Sequence, residues 1–259
     1  MPEITTLALA LPSMLALATL AWLMSLFLKD TSIVDSFWSL FFVAALISWL
    51  PPLEQLGPRA ILVSIMIMLW ALRLSVYLTF RNWGKPEDRR YQAIRARNQP
   101  HFWIKSLFYV FYLQVGLAFI VSLAILPAVK SGPPLSALDG LGTLVFAAGF
   151  LTETLADWQL ARFKSTSKNK GEVMDQGLWH YSRHPNYFGE ALLWWGFGLM
   201  ALAAGAPLWI LVSPIFMTFL LLKVSGVPLL EADLSGRHPN YRRYIETTSA
   251  FWPRRPTQR

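Results

Sequence analysis

Long apolar runs alternate along the chain with short polar and basic stretches, at about 4–28, 33–50, 60–80, 103–128, 138–161, 187–204 and 207–223. A bilayer core of roughly 30 Å takes about 20 apolar helical residues to cross. The pattern therefore predicts an all-α integral membrane bundle of about seven transmembrane helices. The sixth and seventh runs are short, and Gly205-Ala206-Pro207 divides them. The first run is expected to be a helix rather than a cleaved leader. Glu3 is the only charge before Lys29, whereas a leader opens on positive charge and has a shorter apolar stretch.

Composition agrees with the pattern. Hydrophobic residues make up 54% of the chain and charged residues 15%, against about 25% charged in ordinary soluble domains. The chain has no cysteine, which excludes disulfides, thiolate metal sites and cysteine nucleophiles. Its four histidines lack the HExxH spacing, so no metal site is expected. The net charge of +8 is read as membrane topology and anionic lipid rather than nucleic acid.

Placement of the cations sets the expected orientation. Of 23 Lys and Arg residues, 18 fall in the loop 81–101, the segment 162–188 and the tail from 223 onward. Only Arg59 and Lys130 fall in the alternate loops. The positive-inside rule then puts the N-terminus outside and the C-terminus in the cytosol. The longest loops are too short for an independent core. One domain is expected over 1–259, with a site-bearing half at about 138–259. The pentapeptide Arg-His-Pro-Asn-Tyr occurs at 183–187 and again at 237–241, and both copies look like helix starts with proline in the first turn.

Ionisable residues inside apolar spans are costly and usually face a bundle interior or a wet cavity. Here they are Asp35, Arg73, Glu153, Asp157 and Glu190, all within the expected cytosolic half. Glu153 and Asp157 share a helix face at i, i+4, as do Asn186 and Glu190. Four carboxylates and one arginine do not balance; the basic loops or a polar ligand would balance them. The segment Gln176 to Glu190 is polar, aromatic and glycine-containing, and leads into a membrane helix. Its helix N-terminus, with Arg183 and His184, suits an anion such as phosphate, and Trp179 or Tyr181 could stack on a ring. Gly196-Phe-Gly198-Leu-Met-Ala201 fits a loose dinucleotide fingerprint, but inside an apolar helix it reads as small-residue packing. Glu87-Asp88-Arg89-Arg90-Tyr91 is either a charged turn at the interface or a ligand group.

The 176–190 segment, Glu153-x-x-x-Asp157 and the tail from Tyr244 to Trp252-Pro253 together resemble the steroid 5-alpha-reductase family, closest to its bacterial branch. Asp35-x-x-Trp38, Trp70-x-x-Arg73-x-x-x-Tyr77-Leu and Glu87-Asp88-x-Arg90-Tyr91 extend the resemblance over most of the chain. It implies a membrane-embedded, NADPH-dependent reductase acting on the C=C bond of an enone such as a 3-oxo-Δ4 steroid or similar lipid. Asp157, Lys164, Tyr181, Arg183, His184, Asn186 and Glu190 are then expected near the cofactor, with Arg73, Glu153 and Trp179 beside them. The family's carboxylate near the ketone falls on Asp35. Its tyrosine falls on Trp70, which cannot donate a phenolic proton. Asp35 can itself donate to the enone oxygen only in its protonated form; otherwise it orients a tyrosine, Tyr77 or Tyr112. The expected setting is a monomer in a bacterial inner membrane, opening to the cytosol, with a lipid or steroid substrate and no nucleic-acid partner. Two other readings are an isoprenylcysteine-type methyltransferase using S-adenosylmethionine and a non-enzymatic lipid-binding membrane protein.

A reporter fused after Arg259 should report the cytosol and one inserted at Gly132 the outside; both on one side would overturn the orientation.

Overall fold

The computed structural model describes residues 2–50, 55–130, 132, 134–166, 172–224, 226–227, 231 and 239–257. Arg237 and His238 of the second pentapeptide, and Lys168, Lys170 and Arg259 of the basic count, lie outside the described residues. Among those described there is helix and no strand. Five helices are long and apolar enough to cross a membrane: α1 (Thr5–Leu28), α2 (Thr31–Trp49), α3 (Pro58–Asn82), α5 (Phe102–Ser122) and α7 (Ala137–Ser165). Between and after them lie α4 (Arg89–Arg97), α6 (Ile125–Lys130), α8 (Leu178–Tyr181), α9 (Pro185–Ala203), α10 (Leu208–Val224) and α11 (Pro239–Thr247).

The sixth and seventh expected runs appear as α9 and α10. The 19-residue α9 has the length of a span, but Pro185, Asn186 and Glu190 make its first turns polar. Apolar α10 has only 17 residues. The fourth expected run ends early, because the helix stops at Ser122 and restarts at Ile125.

The chain divides into two compact units. The first comprises Met1–Ser136 and Met200–Ser213, the second Ala137–Leu199 and Pro214–Arg259. In the first unit, α2 packs against both α1 and α3. The side of α1 turned to α2 carries small residues, Ala10, Ala18 and Ala21 being fully buried, and the Ser13 and Ser48 hydroxyls meet at 2.7 Å. Ser39 Oγ donates to the Ala71 carbonyl at 2.8 Å, and Phe42 sits edge-on to Trp70 with centroids 5.3 Å apart. These hydroxyls spend their protons on helix carbonyls or on each other, as a medium without water requires. The opposite sides of α1 and α3 expose Leu20, Leu23, Ile61, Ile65 and Leu69, which suits contact with acyl chains. Pro58 opens α3 at its first position, where a missing N–H costs nothing. Arg59, expected in a loop, instead lies buried in the first turn of α3 and donates to the Pro134 and Ala203 carbonyls at 3.0 and 3.4 Å.

In the second unit, α7 and α9 run antiparallel with their backbones in contact. A Cβ on Gly149 would come within 2.4 Å of the Leu193 nitrogen and 2.6 Å of the Gly189 oxygen. One on Gly189 would come within 2.5 Å of the Glu153 nitrogen, and one on Gly196 within 2.6 Å of the Gly142 oxygen. Gly196 is thus a packing glycine. This approach decides what stands opposite what: Gly142 faces Gly196, Glu153 faces Gly189, and one turn on Asp157 meets Asn186.

Gly189→Ala should cost about 1–3 kcal/mol through overpacking, read as a lower melting temperature by circular dichroism in detergent. Gly116→Ala, where a Cβ meets nothing within 4 Å, should be neutral or stabilising by up to about 1 kcal/mol.

Candidate functional site

The second unit gathers four of the expected polar residues. Glu153 and Asp157 are buried on α7 and Glu190 is buried on α9. Asn186 Nδ2 donates to Asp157 Oδ1 at 3.2 Å. The Asn186 Oδ1 is shielded from solvent and has no hydrogen-bond partner among the described residues. A buried amide oxygen left without a donor costs about 1–3 kcal/mol, so this atom is suited to a ligand N–H or O–H. With Asp157 against Asn186, and Glu153 and Glu190 buried on the same two helices, this part of the second unit is rich in acceptors. That favours a ligand that brings its own donors, such as ribose hydroxyls or a carboxamide.

The segment leading into α9 is tied down elsewhere. Arg183 grips Glu231 with two nitrogens, Nε to Oε1 at 2.7 Å and Nη2 to Oε2 at 3.1 Å. Its Nη1 donates to the carbonyls of Ile245, at 2.9 Å, and Thr248. The Arg183 N–H donates to the Ser249 carbonyl at 2.8 Å. His184 Nε2 shares Glu231 Oε1 at 3.1 Å, and its ring stacks on Tyr187. Arg183 and His184, expected beside an anion, are here engaged with the C-terminal region: each of the three guanidinium nitrogens has a partner there, and His184 Nε2 meets Glu231. Burial alone would raise the Glu231 carboxyl. Hydrogen bonds from His184 and Arg183 outweigh it, and the charge of Arg183 adds to them, holding the pKa at about 2.

Trp179 is likewise an anchor. It is buried, its Nε1 donates to the Ala156 carbonyl at 3.0 Å, and its own carbonyl accepts from the Tyr244 hydroxyl. That leaves no open face for stacking. Tyr181 is 45% exposed, edge-on to His180, so it keeps the open face that Trp179 lacks. Lys164 lies exposed in the last turn of α7. Gly177 turns the chain at a positive φ of 61°, and the Leu178 N–H donates to Gln159 Oε1 at 3.0 Å.

Asp35, Arg73, Tyr77 and Tyr112 belong to the first unit. Asp35 accepts from the Tyr91 hydroxyl at 2.5 Å on Oδ1 and from Arg90 Nη2 at 2.8 Å on Oδ2. Both carboxylate oxygens thus act as acceptors, which favours the orienting role over the donor role. The tyrosine that reaches Asp35 is Tyr91. Tyr112 instead shares a hydrogen bond with Thr19 at 3.0 Å, and Tyr77 lies under Arg81 at 5.8 Å. Arg73 is half-buried on α3.

The loop that carries Tyr91 is fixed by its acids. Asp88 caps α4 by accepting from the Arg90 N–H at 2.9 Å. Glu87 takes two bonds from Arg95, at 2.9 and 2.7 Å, and one from the Thr31 N–H at 2.8 Å. Burial would raise both carboxyls, but Arg95 on Glu87 and Arg90 on Asp88, with the backbone donors, pull both below their usual range. Gln114 Nε2 donates to the Tyr91 oxygen at 3.3 Å. Burial first, and the Asp35 charge second, push the Tyr91 hydroxyl well above its ordinary pKa, so it stays protonated and able to donate.

A family profile described as a protein of unknown function, DUF1295, matches residues 21–248. The chain belongs to the DUF1295 family. The DUF1295 match covers Asp35, Tyr91, Asn186, Glu231 and Tyr244, and so takes in the clusters of both units. The uncharacterized protein C594.04c of Schizosaccharomyces pombe is 29% identical over 269 aligned positions, covering 92% of this DUF1295 chain and 77% of the yeast protein. No solved structure matches.

Glu231 contributes stability in full above its ordinary pKa of 4.5 and loses it as the pH falls toward 2. The melting temperature of the wild type should fall as the pH drops through that window. Glu231→Gln should lose about 2 kcal/mol at neutral pH and show a flatter acid profile.

Proposed function

We propose that this chain is a membrane-embedded reductase that binds NADPH through its second unit and reduces the C=C bond of an enone, such as a 3-oxo-Δ4 steroid or a similar lipid. The observation that carries the reading is the buried Asn186 oxygen, which has no hydrogen-bond partner among the described residues, with Asp157 against Asn186 and with Glu153 and Glu190 buried on the same two helices. These acceptors fit the ribose hydroxyls and carboxamide of a dinucleotide. Exposed Tyr181 offers a ring to stack on, and exposed Lys164 a cation for phosphate.

Bound NADPH would supply a hydride to the enone β-carbon, and a proton from solvent would complete the reduction at the α-carbon. Negative charge would build on the enone oxygen in between, where a fixed donor lowers the barrier. Tyr91 is the candidate donor, with Asp35 positioning it and Gln114 touching its oxygen from the other side. A tyrosine oriented by a carboxylate would fill the role that Trp70 cannot. The resemblance to the steroid 5-alpha-reductases supports the same assignment. On this reading α9 and α10 are the sixth and seventh crossings. The 18-of-23 basic distribution supports a C-terminus on the cytosolic side.

Asn186→Ala should weaken NADPH binding at least about tenfold, near 1.4 kcal/mol, by calorimetry on the purified chain. Binding of S-adenosylmethionine without NADPH would establish the methyltransferase reading, and binding of neither with bound lipid the non-enzymatic one. Tyr91→Phe should keep NADPH affinity and lose about 10²–10³ in enone turnover, with Asp35→Asn intermediate. Full turnover in a folded Tyr91→Phe protein would remove Tyr91 from the mechanism.

A further inference from the structure

The loop between α3 and α5 uses its cations in two ways. Arg90 and Arg95 turn inward, onto Asp35 and Asp88 and onto Glu87. Arg97 and Lys105 have no carboxylate partner among the described residues, and Lys105 reaches back to the residue that follows Arg97. The Lys105 ammonium donates to the Asn98 carbonyl at 3.2 Å, next to Arg97 at the end of α4. Arg97 is exposed and Lys105 half-buried in the first turn of α5. Beside Lys105, Trp103 and Ile104 are 53% and 42% exposed. Trp103 is held in place there by its carbonyl, which accepts from Trp22 Nε1 at 2.7 Å.

We propose that Arg97 and Lys105 bind the phosphate of an anionic phospholipid headgroup, with Trp103 and Ile104 against its glycerol and upper acyl region. Three features point to a lipid rather than a soluble anion. The cations sit where an apolar helix of spanning length begins, which is the level of bilayer phosphates. An exposed indole shares that turn, and indoles settle among headgroups. Lys105 also has the long apolar stem that lets a charge reach the interface from the first turn of a span. A patch of this kind gains from anionic lipid with each cation it presents. The proposal is independent of the reductase reading, because none of its residues belongs to the acceptor cluster or to the Asp35–Tyr91 pair.

The test uses the full chain in mixed phosphatidylcholine–phosphatidylglycerol bilayers, with the lipids retained on extraction counted by native mass spectrometry. The wild type should retain phosphatidylglycerol in excess of its share of the bilayer. R97Q/K105Q should lower that enrichment about fivefold or more, with melting temperature and NADPH affinity unchanged. R97K/K105R keeps both charges and should keep the enrichment, as should Lys85→Gln elsewhere in the same loop. Equal enrichment in R97Q/K105Q and wild type would overturn the proposal. So would a rise in melting temperature with inorganic phosphate, in pure phosphatidylcholine, equal to that with phosphatidylglycerol, because the site would then serve a free anion. Loss of NADPH binding in R97Q/K105Q at constant lipid ratio would assign the patch to the cofactor instead.

Discussion

A polar group buried in the protein or in the hydrocarbon core of a bilayer has no water to fall back on, so it must find its partner inside the protein or in a ligand. Much of the polar structure of this chain answers that constraint. Hydroxyls on the spans turn back to carbonyls, as Ser39 does to Ala71. The buried Arg59 donates to the carbonyls of Pro134 and of Ala203 at the end of α9, and Arg183 distributes its nitrogens over Glu231, Ile245 and Thr248. Against this background an unpartnered buried oxygen is informative. Asn186 Oδ1 lacks a partner among the described residues, whereas the greater charge of Arg183 is already taken up by Glu231 and two carbonyls.

The glycine contact between α7 and α9 gives that oxygen its setting. Helices in lipid gain little from burying apolar surface, so close approach of small residues supplies much of their attraction. Gly149 and Gly189 let the two backbones touch. The next turn then places Asp157 against Asn186 at hydrogen-bond distance. A single packing device thus fixes the register of the acceptor cluster, and a methyl group at either glycine would move it.

In the first unit the equivalent organiser is electrostatic. Glu87 and Asp88 are each held ionised by an arginine, and between them they dock the start of α4 on the start of α2. That docking delivers the Tyr91 hydroxyl to Asp35. The carboxylate raises the tyrosine's proton affinity while accepting its hydrogen bond, a combination that keeps the proton in place and aims it.

The membrane class was legible in the linear pattern because crossing a bilayer is a requirement on length and apolarity alone. Five of the expected runs became spans of sufficient length and hydropathy. The i, i+4 pairing of Glu153 with Asp157, and of Asn186 with Glu190, was legible for the same local reason: helical periodicity is a property of one segment. What each residue meets across the fold was not. Nothing local distinguishes Arg183, closed on Glu231 48 positions away, from an arginine open to a phosphate. Nor does spacing show that Trp179 is sealed under Tyr244, or that Asp35 takes its tyrosine from a loop 56 positions on rather than from the neighbouring spans. Those partners come from distant segments brought together by packing, and only the tertiary structure could decide them.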